Sequence, residues 1–207
     1  MTTAKYEPQA ERWSEKAYAD SEHYLDRRAE LVVSLGPPLR PGDRVLDLAC
    51  GDAGLAEPLL ARGLAYLGVD LSEPMVEAAR GRVGGRAEIV LGDLNEFRPP
   101  EPVAATTCFR AIYYARERLA FFRQVASFTE KKLVFDLNPR QYRLGDVRAD
   151  LRAAGFDHLD VRPFFCPQRV SLPEPLRAAL RGAERVPPLA RLALRFRFTY
   201  LCSASRT

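Results

Sequence analysis

From Arg44 onward the chain alternates short apolar runs with helical stretches, and this rhythm constrains the fold more than any other feature. The runs are Val45–Ala49, Tyr66–Val69, Ala87–Leu91, Val103–Phe109 and Leu133–Leu137, each closed by a turn, with helices expected to begin near Gly54, Pro74, Glu117 and Arg143. A helix between successive strands returns the chain to the same end of the sheet, so the strands run parallel, with right-handed crossovers and helices on both faces. Ligands of such a sheet bind at the carboxyl ends of its strands. After Gly155 the rhythm changes: His158–Phe165 reads as a sixth strand and Pro173–Glu184 as a short helix. Leu194–Cys202 reads as a last strand, with Arg195, Arg197 and Thr199 alternating against apolar neighbours. The first 40 residues read as two polar helices; in the second, Ser21 is the expected cap and Leu25, Ala29, Val32 and Val33 share a face until Gly36-Pro37-Pro38 stops it.

At 207 residues, without internal repeats or low-complexity linkers, the chain reads as one domain. Residues 1–40 would form a helical lid, 41–165 a ligand-binding core, and 166–207 an insertion that shapes the pocket and leads into the last strand. The net charge of +4 invites a nucleic-acid reading, but its distribution argues otherwise. Residues 161–207 carry nine arginines against Glu174 and Glu184, a local net of +7, which leaves the remainder at −3. No stretch approaches a membrane span and Met1–Arg12 lacks an apolar signal core, so a cytoplasmic protein is expected. Cys50, Cys108, Cys166 and Cys202 are widely spaced beside only two histidines, which gives neither a zinc pattern nor a disulfide framework.

The chemistry concentrates in Arg44-Val-Leu-Asp47-Leu-Ala-Cys50-Gly51-Asp52-Ala-Gly54, a strand running into a glycine-bearing turn at a helix start. Such a turn lets a ligand approach bare backbone and helix N-terminal amides. The second strand then ends in Gly68-Val69-Asp70, where a carboxylate can accept both hydroxyls of a ribose, and the third in Gly92-Asp93-Leu94. In order and spacing, Val45–Gly54, Leu67–Met75 and Gly92–Leu94 resemble the class I S-adenosylmethionine-dependent methyltransferases. The resemblance implies a Rossmann-like, doubly wound seven-stranded sheet, mostly parallel with an antiparallel last strand, and S-adenosylmethionine as cofactor. It implies further that Asp47 orients the loop and the methionine amino group, and that Ala49 and Gly51 form the cofactor turn. Asp70 would bind the ribose, Leu71 and Met75 would flank the adenine, and Asp93 with the Leu94 amide would read its edge. Where the family commonly has Gly-x-Gly-x-Gly, this chain has Ala49-Cys50-Gly51-Asp52-Ala53 and then Gly54. A dinucleotide-binding domain is the nearest rival, but it requires Gly-x-Gly-x-x-Gly and has no use for Gly92-Asp93-Leu94.

Methyl transfer from a sulfonium needs alignment and exclusion of water more than a base. The fourth strand ends in Cys108-Phe109-Arg110-Ala-Ile-Tyr113-Tyr114 and the fifth in Asp136-Leu-Asn138-Pro139-Arg140. Cys108 belongs either to the cofactor wall or to the packed core. Arg110 and Arg140 suit an anionic substrate, or pair with a carboxylate such as Asp136. Tyr113 could donate a hydrogen bond to substrate; a solvated histidine is the better reading for His23, which is still the better placed of the two histidines for a general base. The N-terminal aromatics Trp13, Tyr18 and Tyr24 suggest a lid, and Arg27 or Arg28 could meet the methionine carboxylate. In Pro173–Glu184, Leu176, Ala179 and Leu180 oppose Arg177, Arg181 and Arg185. That pattern fits a solvated face over a packed stripe, or a helix resting on an anionic membrane in peripheral contact. The fourth strand lacks the base-methylating Asn/Asp-Pro-Pro-Tyr/Phe signature, and Asn138-Pro139-Arg140 after the fifth is not that signature. A small organic acceptor, anionic or amphiphilic, is therefore favoured over an RNA or protein docked on the basic C-terminal segment, and over a cofactor-binding partner subunit without catalysis.

Overall fold

A computed structural model describes residues 13–193 and 198–206. The strands are β1 (Arg44–Leu48), β2 (Ala65–Asp70), β3 (Glu88–Leu91), β4 (Val103–Cys108), β5 (Thr129–Leu137), β6 (His158–Phe164) and β7 (Thr199–Ser205). They form one seven-stranded sheet in the order β3-β2-β1-β4-β5-β7-β6. Neighbours from β3 through β5 pair in parallel, and β7 is antiparallel to both β5 and β6. This is the doubly wound, mostly parallel sheet with a reversed last strand that the alternation and the resemblance imply.

The helices are α1 (Trp13–Ala17), α2 (Ser21–Ser34), α3 (Ala56–Leu60), α4 (Glu73–Val83), α5 (Arg118–Phe128), α6 (Leu144–Ala153), α7 (Glu174–Ala183) and α8 (Pro187–Ala193). Successive strand residues point to opposite faces, so each central strand feeds two cores. Val45 and Val134 pack with Tyr24, Ala29, Leu59 and Val76 from α2, α3 and α4. Leu46, Leu133 and Phe135 pack with Phe121, Phe122 and Val125 of α5 on the other face. Every residue of β4 is buried. Its polar members are satisfied there: the Thr106 and Thr129 hydroxyls lie 2.6 Å apart, and Thr107 donates to Asp47 at 2.6 Å.

Lys132 is fully buried beneath the sheet and donates to the carbonyls of Val33 and Leu35 at 3.2 and 2.7 Å, which lie at the C-terminal end of α2. A cation is favourable there because the last carbonyls of a helix lack partners within it. Burial lowers the ammonium pKa to about 8.

Several boundaries differ from expectation. The N-cap of α2 is Asp20, whose carboxylate accepts the His23 amide at 3.1 Å, one residue ahead of Ser21. The buried face of α2 comprises Tyr24, Arg28, Ala29, Leu31 and Val32, so it turns a cation inward. β5 starts four residues early, at Thr129, directly after α5. The last strand runs to Ser205 because Ser203 and Ser205, buried between two antiparallel neighbours, extend it beyond the apolar run. Arg195 and Arg197 lie outside the described residues.

Candidate functional site

The loops at the carboxyl ends of β1 and β4 are conformationally strained. Among the described residues, the non-glycine residues with positive φ are Ala49 (58°), Ala53 (52°) and Arg110 (53°), and all three lie on these loops. Left-handed backbone costs about 1–2 kcal/mol for an L residue and is retained where surrounding structure enforces it. Ala49 therefore does the conformational work of the glycine more usual at that position, at the cost of one methyl group. Cys50 donates its amide to Val69 O at 3.0 Å, and Gly68 on β2 leaves room for the Cys50 thiol, since a Cβ there would come within 2.9 Å of Sγ.

Three carboxylates follow from the three strand ends. Asp70 Oδ2 accepts the Gly51 amide at 2.8 Å and Oδ1 accepts the Ser72 amide at 2.9 Å. Backbone thus holds the carboxylate at the cleft with lone pairs to spare, and burial raises its pKa. Asp93 accepts the Asn95 amide at 2.8 Å and Arg116 Nη2 at 2.8 Å. Burial opposes its ionisation, yet these partners bring its pKa below the usual carboxylate value. Asp47 lies deeper and accepts the hydroxyls of Tyr66 at 2.7 Å and Thr107 at 2.6 Å. It braces the floor of the loop, and burial raises its pKa from 3.8 to about 6.

Because the folded chain keeps the Asp47 proton to higher pH than the unfolded chain, stability from this group is fully present below pH 3.8 and is lost as pH rises through about 6. At neutral pH the buried carboxylate thus withholds up to about 3 kcal/mol. Asp47→Asn removes the charge while Tyr66 and Thr107 keep an amide to bond. Its melting midpoint is expected to equal or exceed that of the unsubstituted protein at pH 7.5, and the difference should shrink toward pH 5. A variant several degrees less stable at pH 7.5 would contradict this account.

These strand ends open into a cleft of about 190 Å³. One end is walled by Ala49, Gly51, Asp70, Leu71, Met75, Asp93 and Leu94, and the other by Phe109, Arg110, Tyr113 and Tyr114. The N-terminal helices close over it, with Ser14, Tyr18, Leu25 and Arg28 facing inward. Ser14 holds α1 in place: its amide donates to Asp52 at 2.9 Å and its hydroxyl donates to the same carboxylate. Arg82 binds Asp52 from the other side at 2.9 Å. Gly54 is required beneath this latch because a Cβ there would collide with the Ser14 hydroxyl.

Arg28 is buried, with its guanidinium 4.2 Å from the Phe109 ring centroid. Its Nη2 donates to Tyr24 at 2.9 Å and to Asp136 at 3.3 Å, while its buried Nε has no hydrogen-bond partner. Asp136 also accepts the Arg110 amide at 2.7 Å, and the Arg110 guanidinium lies 5.8 Å from the Tyr18 ring centroid. Two arginines therefore face this end of the cleft, and Asp136 binds the guanidinium of Arg28 and the backbone amide of Arg110.

Of the residues expected at the site, Asp47, Ala49, Gly51, Asp70, Leu71, Met75, Asp93, Leu94, Arg110 and Tyr113 all line the cleft. Two expected residues are not brought there. Cys108 is fully buried in the core with Phe122 and Phe135, because the cleft opens one residue later, at Phe109. His23 occupies the first turn of α2, whose cleft-facing positions are Leu25 and Arg28. Arg140 is exposed away from the cleft, and Arg27 pairs with Glu30 and Glu184 at 2.6 and 2.9 Å. None of the described residues of the insertion lines the cleft. It supports α2 instead, with Gln168 donating to the Tyr24 hydroxyl at 3.3 Å and Arg177 pairing with Asp20. Asp52 and Ser14 could not be found from sequence, since nothing local marks a bond between residues 38 positions apart.

Residues 45–132 match the methyltransferase domain family. An uncharacterized methyltransferase of Geobacillus sp. (strain WCH70) is 28% identical over 162 residues, 72% of this chain and 76% of the relative. Another, of Geobacillus kaustophilus, is 31% identical over 56% of this chain and 59% of the relative. The fold is similar to that of a TehB-like S-adenosylmethionine-dependent methyltransferase from Corynebacterium glutamicum, with TM-score 0.67, 17% identity and full coverage of both chains. It is also similar to magnesium protoporphyrin IX methyltransferase from Synechocystis with bound S-adenosylmethionine, with TM-score 0.66, 18% identity, and coverage of 100% of this chain and 92% of that one.

Proposed function

We propose that the protein is a class I S-adenosylmethionine-dependent methyltransferase, as its family-model match and its relatives support, and that it methylates a small organic acceptor, anionic or amphiphilic, by direct displacement. The cofactor supplies an electrophilic sulfonium methyl group when bound. The walls of the cleft fit it: the backbone-held Asp70 would accept the ribose hydroxyls, Leu71 and Met75 would flank the adenine, and Asp93 with the Leu94 amide would meet its edge. Ala49 and Gly51 would present bare backbone to the methionyl portion, above a floor braced by Asp47.

The observation that carries the acceptor reading is that Arg28 and Arg110 both line the far end of the cleft, with Arg28 held by Asp136 through its guanidinium and Arg110 through its backbone amide. A guanidinium binds carboxylate or phosphate with charge-assisted hydrogen bonds. Tyr18, Phe109, Tyr113 and Tyr114 add apolar walls for the remainder of the acceptor. The lid of α1 and α2 would limit the access of water to the reacting atoms, which favours displacement without general-base assistance. Tyr113, half-exposed, would orient the acceptor through its hydroxyl.

The test is transfer of labelled methyl from S-adenosylmethionine to a panel of small carboxylates, phosphates and their neutral isosteres, with RNA and protein as controls. Methylation of anionic small molecules in preference to isosteres supports the reading. The rival, an RNA or protein substrate docked on the basic C-terminal segment, is motivated by the exposed Arg169 and Arg185. RNA methylation that falls steeply with added salt would establish an RNA acceptor instead, and methylation of the protein control alone would establish a protein acceptor.

A further inference from the structure

Five of the eight large exposed hydrophobic side chains in the described residues fall between positions 170 and 192: Val170, Leu176, Val186, Leu189 and Leu192, each 41–56% exposed. Val186, Leu189 and Leu192 recur every third residue, which sets them within one 120° arc of α8 and its leading turn. Ala190, about 100° around α8 from Leu189 and about 160° from Leu192, is buried with Phe165 and is flanked by Leu180 and Ala183 of α7. The inward apolar stripe of the hairpin is thus already packed, and the leucines facing outward serve no fold. Exposed Arg169 and Arg185 border them, and residues 161–207 carry a net charge of +7.

We propose that the α7–α8 hairpin is a docking surface for an anionic lipid bilayer, with Leu189 and Leu192 entering the interface and Arg169 and Arg185 meeting lipid phosphates. The combination discriminates among occupants. Exposed leucines gain nothing from nucleic acid, and two copies meeting on this face would bring like charges together, whereas an anionic bilayer offers both apolar depth and complementary charge. The hairpin is also tied to the lid, through Arg177 with Asp20 and Glu184 with Arg27 on α2. Docking would therefore set α2, which helps cover the cleft, beside the lipid surface, whatever the acceptor is.

The test is sedimentation of the full chain with vesicles of phosphatidylcholine alone and of phosphatidylcholine with phosphatidylglycerol. Binding is expected to the anionic vesicles and not to the neutral ones. Leu189→Glu/Leu192→Glu is expected to lower the partition coefficient at least about tenfold with cofactor affinity unchanged. Arg169→Gln/Arg185→Gln is expected to lower it chiefly at low salt. Absence of binding to anionic vesicles, or equal binding by the leucine variant, overturns the proposal. So does a dimer in solution that the leucine variant dissociates, which would make this face a contact between copies of the chain.

Discussion

Asp70→Ala is expected to weaken binding of S-adenosylmethionine at least about a hundredfold, measured by calorimetry, while the chain remains folded. A charge-assisted hydrogen bond contributes about 1.5–3 kcal/mol, and the carboxylate would accept two of them from the ribose. The substitution also releases the Gly51 and Ser72 amides that Asp70 now binds. Both residues line the cleft, and leaving their amides without this acceptor costs the fold about 1–3 kcal/mol, so the melting midpoint falls by several degrees. Asp70→Asn keeps the shape and one acceptor oxygen but not the charge, and its affinity should fall between the two. Unchanged affinity in the alanine variant would remove Asp70 from the cofactor site. A variant that binds weakly because it has unfolded would be recognised by the loss of its cooperative melting transition.

Asp70 was legible because everything that defines it is local. A strand, its final carboxylate and a helix start occupy a dozen residues, and the loop it grips lies 19 residues upstream. The same holds for Asp93 and for the turn at Ala49 and Gly51, where topology alone directs strand ends to one side of the sheet. The lid was legible only in outline. Its aromatic content suggested a cover, but the bonds that fix it join Ser14 to Asp52 and Arg28 to Asp136, 108 positions apart in the second case. From sequence Arg28 is a candidate for the methionine carboxylate on equal terms with Arg27, and nothing local says that the fold buries it against Phe109. Cys108 and His23 failed for the complementary reason: a one-residue offset on a strand, or a different helix face, moves a side chain from the cleft to the core or the outside. The insertion was placed correctly as a helix, but its partner α8 begins with Pro187-Pro188, which reads as a turn even though proline is well accommodated in the first turn of a helix.

The two cleft arginines should separate experimentally, because one is structural as well as functional. Arg110→Ala is expected to lower kcat/KM for the acceptor by about 10- to 100-fold, the loss of one charge-assisted hydrogen bond, with cofactor affinity nearly unchanged. The fold should tolerate it: alanine already adopts the same left-handed backbone at positions 49 and 53, and the amide that binds Asp136 is retained. Arg28→Met keeps the volume but strips Asp136 of the cation at 3.3 Å and the Tyr24 hydroxyl of one of its two donors. An uncompensated carboxylate in a buried pair costs about 3–5 kcal/mol, so this variant should melt roughly 10 °C lower as well as lose turnover. Adding Asp136→Asn to Arg28→Met should restore much of the stability and none of the activity, since it neutralises the orphaned charge without replacing the guanidinium. Recovery of activity in that double variant would show that Arg28 acts only by neutralising Asp136. Equal turnover in Arg110→Ala would remove Arg110 from acceptor recognition and leave Arg28 as the anion-binding residue of the cleft.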